Sequence, residues 1–537
     1  MNKCKFTAVS TVVLLFLGLL ISSFQVNAIE NCSCYVIVVA PQEYVEWKPV
    51  IDKLKLYHPG AVTLVLPSDI QNAVMNLERH VRYLTMDGLL KMYLWLMYYV
   101  WGGRSIPVPM GYYKAGWEEL INSILFLDRH KAEVHGLFYN WFQTELGHQP
   151  HYIATIGDIK TRRSDWLKAL GMATWWNTSL KYPADAWPMS INCSQVPVAY
   201  LPIEVDECLA WYGYAVGRIT GLTVDDAVAL VERAADYNEW ALTNINIAKK
   251  FLGTFTVGVR DYYSQLPHVI NSAGYELAWY SPDGPDYPTW TNAKAALEEG
   301  VGFWDWYCHG NFMTPTEGPG NGIGSFLVEG KEDTYYDIPV GNETPKGGWS
   351  GNIWDFINTG SLSAPIQSCF IDRVPSLDHT IVSVTACLVG SSELPLQFIE
   401  KGAVAVRIGI TPQEGCEGGC NAAYFIDALT HTNPDTGNQF SIGEAMAYAN
   451  INTHVLHYYY AVSGGMTYWC TMYLIGDPAL VPYVPNVSSE PPIALDTRGN
   501  NPGAYSGGSQ QVGNVIVPIA FESPDGSVAL LRTGQNN

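Results

Sequence analysis

The chain has 537 residues, 48% of them hydrophobic and only 15% charged, which is enough for two or three packed α/β units and excludes a chain disordered over most of its length. Its formal charge of −21, with no run of Lys and Arg, argues against a nucleic-acid partner, because phosphate recognition needs clustered cations. The 18 Trp and 33 Tyr fit either ordinary core packing or an extracellular surface rich in aromatics.

At the start of the chain, Lys3 and Lys5 precede an apolar stretch centred on Val12 to Ile21, and Val26-Asn27-Ala28 comes after it. This is the pattern of a signal peptide over residues 1–28. Because no charge intervenes between Lys5 and Glu30, the same segment also fits an uncleaved signal anchor, the one route to a membrane that the sequence offers. Either way the remainder is expected outside the cell or on its surface. Sequons at Asn31, Asn177, Asn192, Asn342 and Asn486 fit export. Ten cysteines lie beyond the leader, and in an oxidising compartment an even count allows complete pairing, whereas a free Cys387 leaves nine, so that at least one more, with Cys308 the candidate, is unpaired or bonded between chains.

The run 35–40 (YVIVVA), ended by Pro41, reads as a buried parallel strand, succeeded by a helix over about 44–57 and a second strand at 61–67. Strand, helix and strand at this spacing form a βαβ unit. Residues 79–145 carry helical patterns, 151–158 (HYIATIGD) reads as a strand, and 166–208 reads as a loop-rich excursion. A second α/β portion opens with WYGYAVGRI and a helix from Thr223 to about Phe251. The strands VGFWDWY and TIVSVTA dominate the rest of that portion, with only one or two short elements expected in the Gly-, Pro- and Asn-rich stretch 311–378. GAVAVRIGI is a further strand, 441–462 a long helix, and MYLIGDPALVPYV closes the folded part. The boundaries expected are an N-terminal α/β subdomain over 29–200, a second over 201–484, and a Pro/Gly/Ser-rich tail over 485–537.

Two of these strands end on residues with chemistry. VGFWDWY runs into Cys308-His309-Gly310, and TIVSVTA runs into Cys387. Functional groups of open α/β sheets collect beyond the carboxyl ends of the strands. Two neighbouring strands can therefore present a thiol nucleophile, Cys387, and its proton-transfer partner, His309, to one crevice. The backbone N–H groups of Gly310 and Cys387 are the natural oxyanion donors. Ser391 and Ser392 are N-cap candidates for a helix running to about Lys401 with Pro395 in its first turn, and a helix start near Cys387 favours the thiolate. Singly these signals are weak: His135-Gly136 is a second His-Gly pair, inside a helical pattern, and a lone cysteine is more often a buried thiol or a disulfide half. Asp305 lies on the strand before His309, on a face that the sequence does not assign. His454 and His457, three residues apart on the long helix, have metal-binding spacing without an evident third ligand.

The order of apolar strand, His-Gly, spacer, apolar strand and Ala-Cys resembles the caspase-like cysteine peptidases. Several segments are similar to the gingipains in particular: YVIVVAPQEYVEWKPVIDKL, ATIGD with Gly157-Asp158, AVGRITGLTVDDAVALVERAADYN, and IGDPALVPY with Gly476, Asp477 and Pro478. The resemblance spans about residues 35 to 484 in the family's order. It implies a caspase-like α/β fold of mostly parallel sheets flanked by helices, in two tandem subdomains. It also implies a cysteine endopeptidase acting on proteins or peptides, with Cys387 as nucleophile, His309 as general acid and Gly310 in the oxyanion hole. Relatives favour basic side chains at the cleavage site. No cofactor is implied for catalysis, and structural calcium is possible, with Asp283 to Asp286 and Glu329 to Asp337 as the acidic loops to hold it or simply to be solvated. Cys308 stands where the family has glycine, Leu388-Val389-Gly390 replaces small polar residues after the nucleophile, and the 78-residue spacing of His309 and Cys387 is long for the group. A catalytically inactive surface protein that keeps the scaffold for binding or adhesion is the rival expectation.

Overall fold

The computed structural model describes residues 35–77, 130–159, 200–255, 261–280, 290–307, 374–386, 394–409, 415–462 and 472–492, with short strand segments inside 325–337 and 509–529. Ten strands make one sheet: β1 (Tyr35–Val39), β2 (Val62–Val65), β3 (Tyr152–Ile156), β4 (Ala215–Ile219), β5 (Lys250–Phe255), β6 (Glu276–Tyr280), β7 (Phe303–Tyr307), β8 (Ile381–Thr385), β9 (Ala405–Gly409) and β10 (Met472–Gly476). Their order across the sheet is β2-β1-β3-β4-β10-β9-β8-β7-β5-β6. Pairing is parallel within β2-β1-β3-β4 and within β9-β8-β7-β5-β6, and β10 runs antiparallel to β9. This is the mostly parallel α/β class expected. The two α/β portions share a single sheet, joined where Ile475 of β10 meets Arg218 of β4.

Six strands, β1, β4, β7, β8, β9 and β10, are buried at every residue, which is why they read as largely apolar runs, interrupted by Arg218, Asp305 and Arg407. Helices cover both faces. On one lie α1 (Lys48–Tyr57), α3 (Val224–Thr243), α5 (Trp290–Glu298) and α6 (Leu394–Glu400), packed on alternate residues of strands from β1 to β9 in one continuous core. On the other, helical residues 68–77 and 130–146 with α2 (Glu204–Trp211) cover β1, β3 and β4. There α4 (Asp261–Ser272), α7 (Gly415–Leu429) and α8 (Ile442–Val462) cover β5 and β7 to β10.

The expected helix from Thr223 to Phe251 is shorter in the structure. Thr223 starts it with a capping box, its Oγ1 accepting from the Asp226 N–H at 3.2 Å while Asp226 Oδ2 accepts from the Thr223 N–H at 2.9 Å. It stops at Asn244, where neither glycine nor proline marks the end. A four-residue helix, Ile245–Ala248, follows, and Lys250–Phe255 is then β5, paired on both sides. With β5 come α4, β6 and α5, all unforeseen. The excursion 166–208 gives way to α2 from Glu204 onward, and α7 fills a stretch to which the sequence reading assigned no element. The long helix is found as Ile442–Val462. Within 311–378 the described elements before Val374 are two short paired strands, Ser325–Leu327 and Tyr335–Asp337.

Candidate active site

β7 and β8 are direct neighbours. They pair in parallel from Phe303 with Ile381 to Tyr307 with Thr385. The strand that leads to His309 and the strand that leads to Cys387 thus end on the same register row, each two residues before its candidate. His309, Gly310 and Cys387, together with Cys308, lie outside the described residues. β7 is held firmly on both faces. Trp304 stacks on Trp306 with centroids 5.1 Å apart, and its Nε1–H donates to Thr254 Oγ1 at 3.0 Å. Phe303 stacks on Phe251 at 4.7 Å. α6 comes after β8 with Pro395 in its first turn, while Ser391 and Ser392 fall outside the described residues.

Strand alternation puts Asp305 on the face of Phe303 and Tyr307, against α4, α7 and α8. There it belongs to a polar row across the sheet that sequence reading only partly found. Asp305 of β7 pairs with Ser383 of β8, and Ser383 with Arg407 of β9. All three are fully buried. Burial pushes the Asp305 carboxyl up to about 6, with Ser383 and Arg407 pulling it down, and neither oxygen has a partner at full hydrogen-bond geometry among the described residues. Arg407 Nη1 donates to Ser383 Oγ at 3.1 Å and Thr385 Oγ1 at 3.2 Å, and its Nε donates to Asn421 Oδ1 at 3.1 Å. The signal for Arg407 was a lone charge inside the apolar run GAVAVRIGI.

The other motif residues hold the scaffold. Arg218 is buried on β4, donating to Asp206 at 2.8 and 3.0 Å and to the carbonyls of Leu201 and Pro202. Gly217 beside it has no side chain because a Cβ there would collide with the Gly476 carbonyl oxygen of β10. Asp158 offers its backbone N–H to Glu43 Oε1 at 2.9 Å, and Gly157, at φ 151°, leaves room for that carboxyl. Asp477 accepts from the Tyr35 hydroxyl at 3.0 Å and lies 2.6 Å from His58 Nε2. The second His-Gly pair is structural, as its helical context indicated: His135 stacks on Tyr212 at 4.0 Å.

Cys208 is a buried thiol, so complete pairing of the ten cysteines does not occur. Burial raises the Cys208 thiol well above its usual range. Asp283 to Asp286 and most of Glu329 to Asp337 fall outside the described residues, as do the side chains of His454 and His457. Among the described residues no group of three or more His, Cys, Asp or Glu is placed to hold a metal ion, and no helix is long and apolar enough to cross a membrane.

No protein-family model matches the chain, and no curated protein matches it in sequence. The solved structures that the chain matches include gingipains, the family that its sequence resembles. One is the complex of the pro- and mature domains of RgpB from Porphyromonas gingivalis, with 12% identity and a TM-score of 0.41 over 85% of this chain and 81% of that one. Another is the Arg-specific cysteine proteinase gingipain R, with 11% identity and a TM-score of 0.41 over 86% and 80%. A third structure, described as a protease, has 11% identity and a TM-score of 0.40 over 93% and 91%.

Proposed function

We propose that the chain is a secreted or surface cysteine endopeptidase in which Cys387 and His309 form the catalytic dyad. The observation that carries this reading is the pairing of Tyr307 with Thr385. Adjacent parallel strands run about 4.8 Å apart. A histidine two residues beyond one partner and a cysteine two residues beyond the other therefore leave the sheet from neighbouring points. The Cys387 thiolate attacks the scissile carbonyl, and the N–H groups of Gly310 and Cys387 receive the oxyanion. His309 protonates the departing amine, leaving a thioester, and water then releases the acyl group. Export is inferred from the charged and apolar leader of residues 1–28.

The test is an electrophilic peptide probe with a basic side chain at the cleavage position, applied to the secreted protein and to Cys387→Ala. Labelling and peptide cleavage are expected in the former and absent from the latter. Cleavage that survives Cys387→Ala rejects the dyad, and a folded wild type that neither labels nor cleaves rejects it and favours the binding scaffold.

A further inference from the structure

Arg407 occupies the third position of β9, between Val406 and Ile408, and is fully buried. A guanidinium in a sheet interior loses its hydration, and it is tolerated where its donors are met in good geometry. Here they reach two elements at once. Nη1 is shared between Ser383 and Thr385, hydroxyls on one face of β8, and Nε and Nη2 both donate to Asn421 Oδ1 on α7. Asn421 in turn donates through Nδ2 to Asn450 Oδ1 and Thr453 Oγ1 of α8, both at 3.0 Å. The guanidinium carbon lies 5.6 Å from the Phe425 ring.

The place of this network matters. Ser383 is the register partner of Asp305 on β7, and Thr385 is the register partner of Tyr307. The hydroxyls that Arg407 holds are thus those on the last two same-face rows of the strand that leads to Cys387, beside the strand that leads to His309. Resting on the dyad reading above, we propose that Arg407 is a positioning residue for the Cys387–His309 pair, tying the end of β8 to α7 and α8 so that the two strand ends keep one relative height. Loss of the tie leaves β8 free to shift against β7. A displacement of about 1 Å in a reacting group costs on the order of 100-fold in rate.

The experiment compares full-length wild type, Arg407→Met, Arg407→Lys and Thr385→Val in cleavage of a fluorogenic peptide, with a thermal melt of each. The expected result for folded Arg407→Met is a kcat lower by about 100-fold with KM within about threefold, and recovery of about tenfold of that loss in Arg407→Lys. A structural role alone lowers the melting temperature and leaves the kcat of the folded enzyme in place. The proposal is overturned if kcat for folded Arg407→Met stays within about twofold of wild type or if the effect is all in KM. Should Arg407→Met not fold, Thr385→Val decides. It removes one acceptor at nearly constant shape, and an unchanged kcat there overturns the proposal. Failure of the dyad reading shows separately, as an inactive wild type or as cleavage that persists in Cys387→Ala.

Discussion

The His379 ring lies flat on Trp240, with centroids 4.7 Å apart and planes 11° from parallel, and its two nitrogens each sit 2.9 Å from a carboxylate oxygen, Nδ1 from Asp378 and Nε2 from Asp236. These contacts hold a backbone in the left-handed region, φ 57°, at the turn into β8. His379 is the non-glycine residue with positive φ among those described. The ring contacts must outweigh a conformation that costs about 1 kcal/mol or more. His379→Ala is therefore expected to lose about 1–3 kcal/mol in urea unfolding, keeping the strain and losing the ring. His379→Asn should lose less, because asparagine tolerates this conformation. An alanine variant as stable as wild type would refute this role for the ring.

Glu43 gives a pH dependence with a definite sign. Burial raises its carboxyl from 4.5 to about 7, with Asp158 and Glu46 pushing the same way and the Asp158 N–H and Arg218 pulling back. The folded state holds the proton more tightly than the unfolded chain. Stability present below pH 4.5 is thus lost as pH rises through about 7, by on the order of 2–3 kcal/mol. Asp305, raised from 3.8 to about 6, acts in the same direction over a lower window. Glu43→Gln keeps an acceptor for the Asp158 N–H and carries no charge. Relative to wild type, this variant should gain stability between pH 5 and pH 8 in urea titrations, and a difference that does not change with pH would show that the carboxyl titrates as if exposed.

The strands that lead to the candidate dyad were legible because buried parallel strands are mostly apolar and β-branched or aromatic, as in FWDWY and IVSVT. The run from α3 into β5 was not, since Asn244 ends the helix without glycine or proline and Lys250–Phe255 is apolar enough to continue it. α7 was hidden by glycines that tertiary packing overrides, its buried Phe425 and Ile426 joining the core over β7 to β10. At the site, residue type pointed to His309 and Cys387, but register alone aligns Asp305 with Ser383 and Arg407. Pairing of distant strands is not written in the local sequence of any of the three.

Two glycines separate packing from propensity. A Cβ at Gly217 would meet backbone, the Gly476 carbonyl oxygen, at the junction of β4 with β10. Gly217→Ala must push those strands apart, and about 3 kcal/mol or more of stability should be lost, read as a lower urea midpoint. At Gly136, in helical residues 130–146, a Cβ has nothing within 4 Å. Gly136→Ala should be neutral or stabilising by up to about 1 kcal/mol. If both substitutions cost the same, the close approach of β4 and β10 is not what requires Gly217.

The thiol of Cys208 offers a control for the proposed nucleophile. It is fully buried, donates to the Lys131 carbonyl at 3.3 Å, and lies beside the buried Lys131–Glu207 ion pair, whose Nζ and Oε1 are 2.8 Å apart. Burial is the main cause of its raised pKa, with the Glu207 charge adding to it. The thiolate is the reactive form, so at pH 8 Cys208 should resist iodoacetamide in the native protein and react only after unfolding in urea. Peptide mapping by mass spectrometry would locate the modification. Rapid native labelling at Cys208 would mean that α2 opens readily. Labelling at Cys387 with Cys208 untouched is the pattern expected of one activated thiol and one packed in the core.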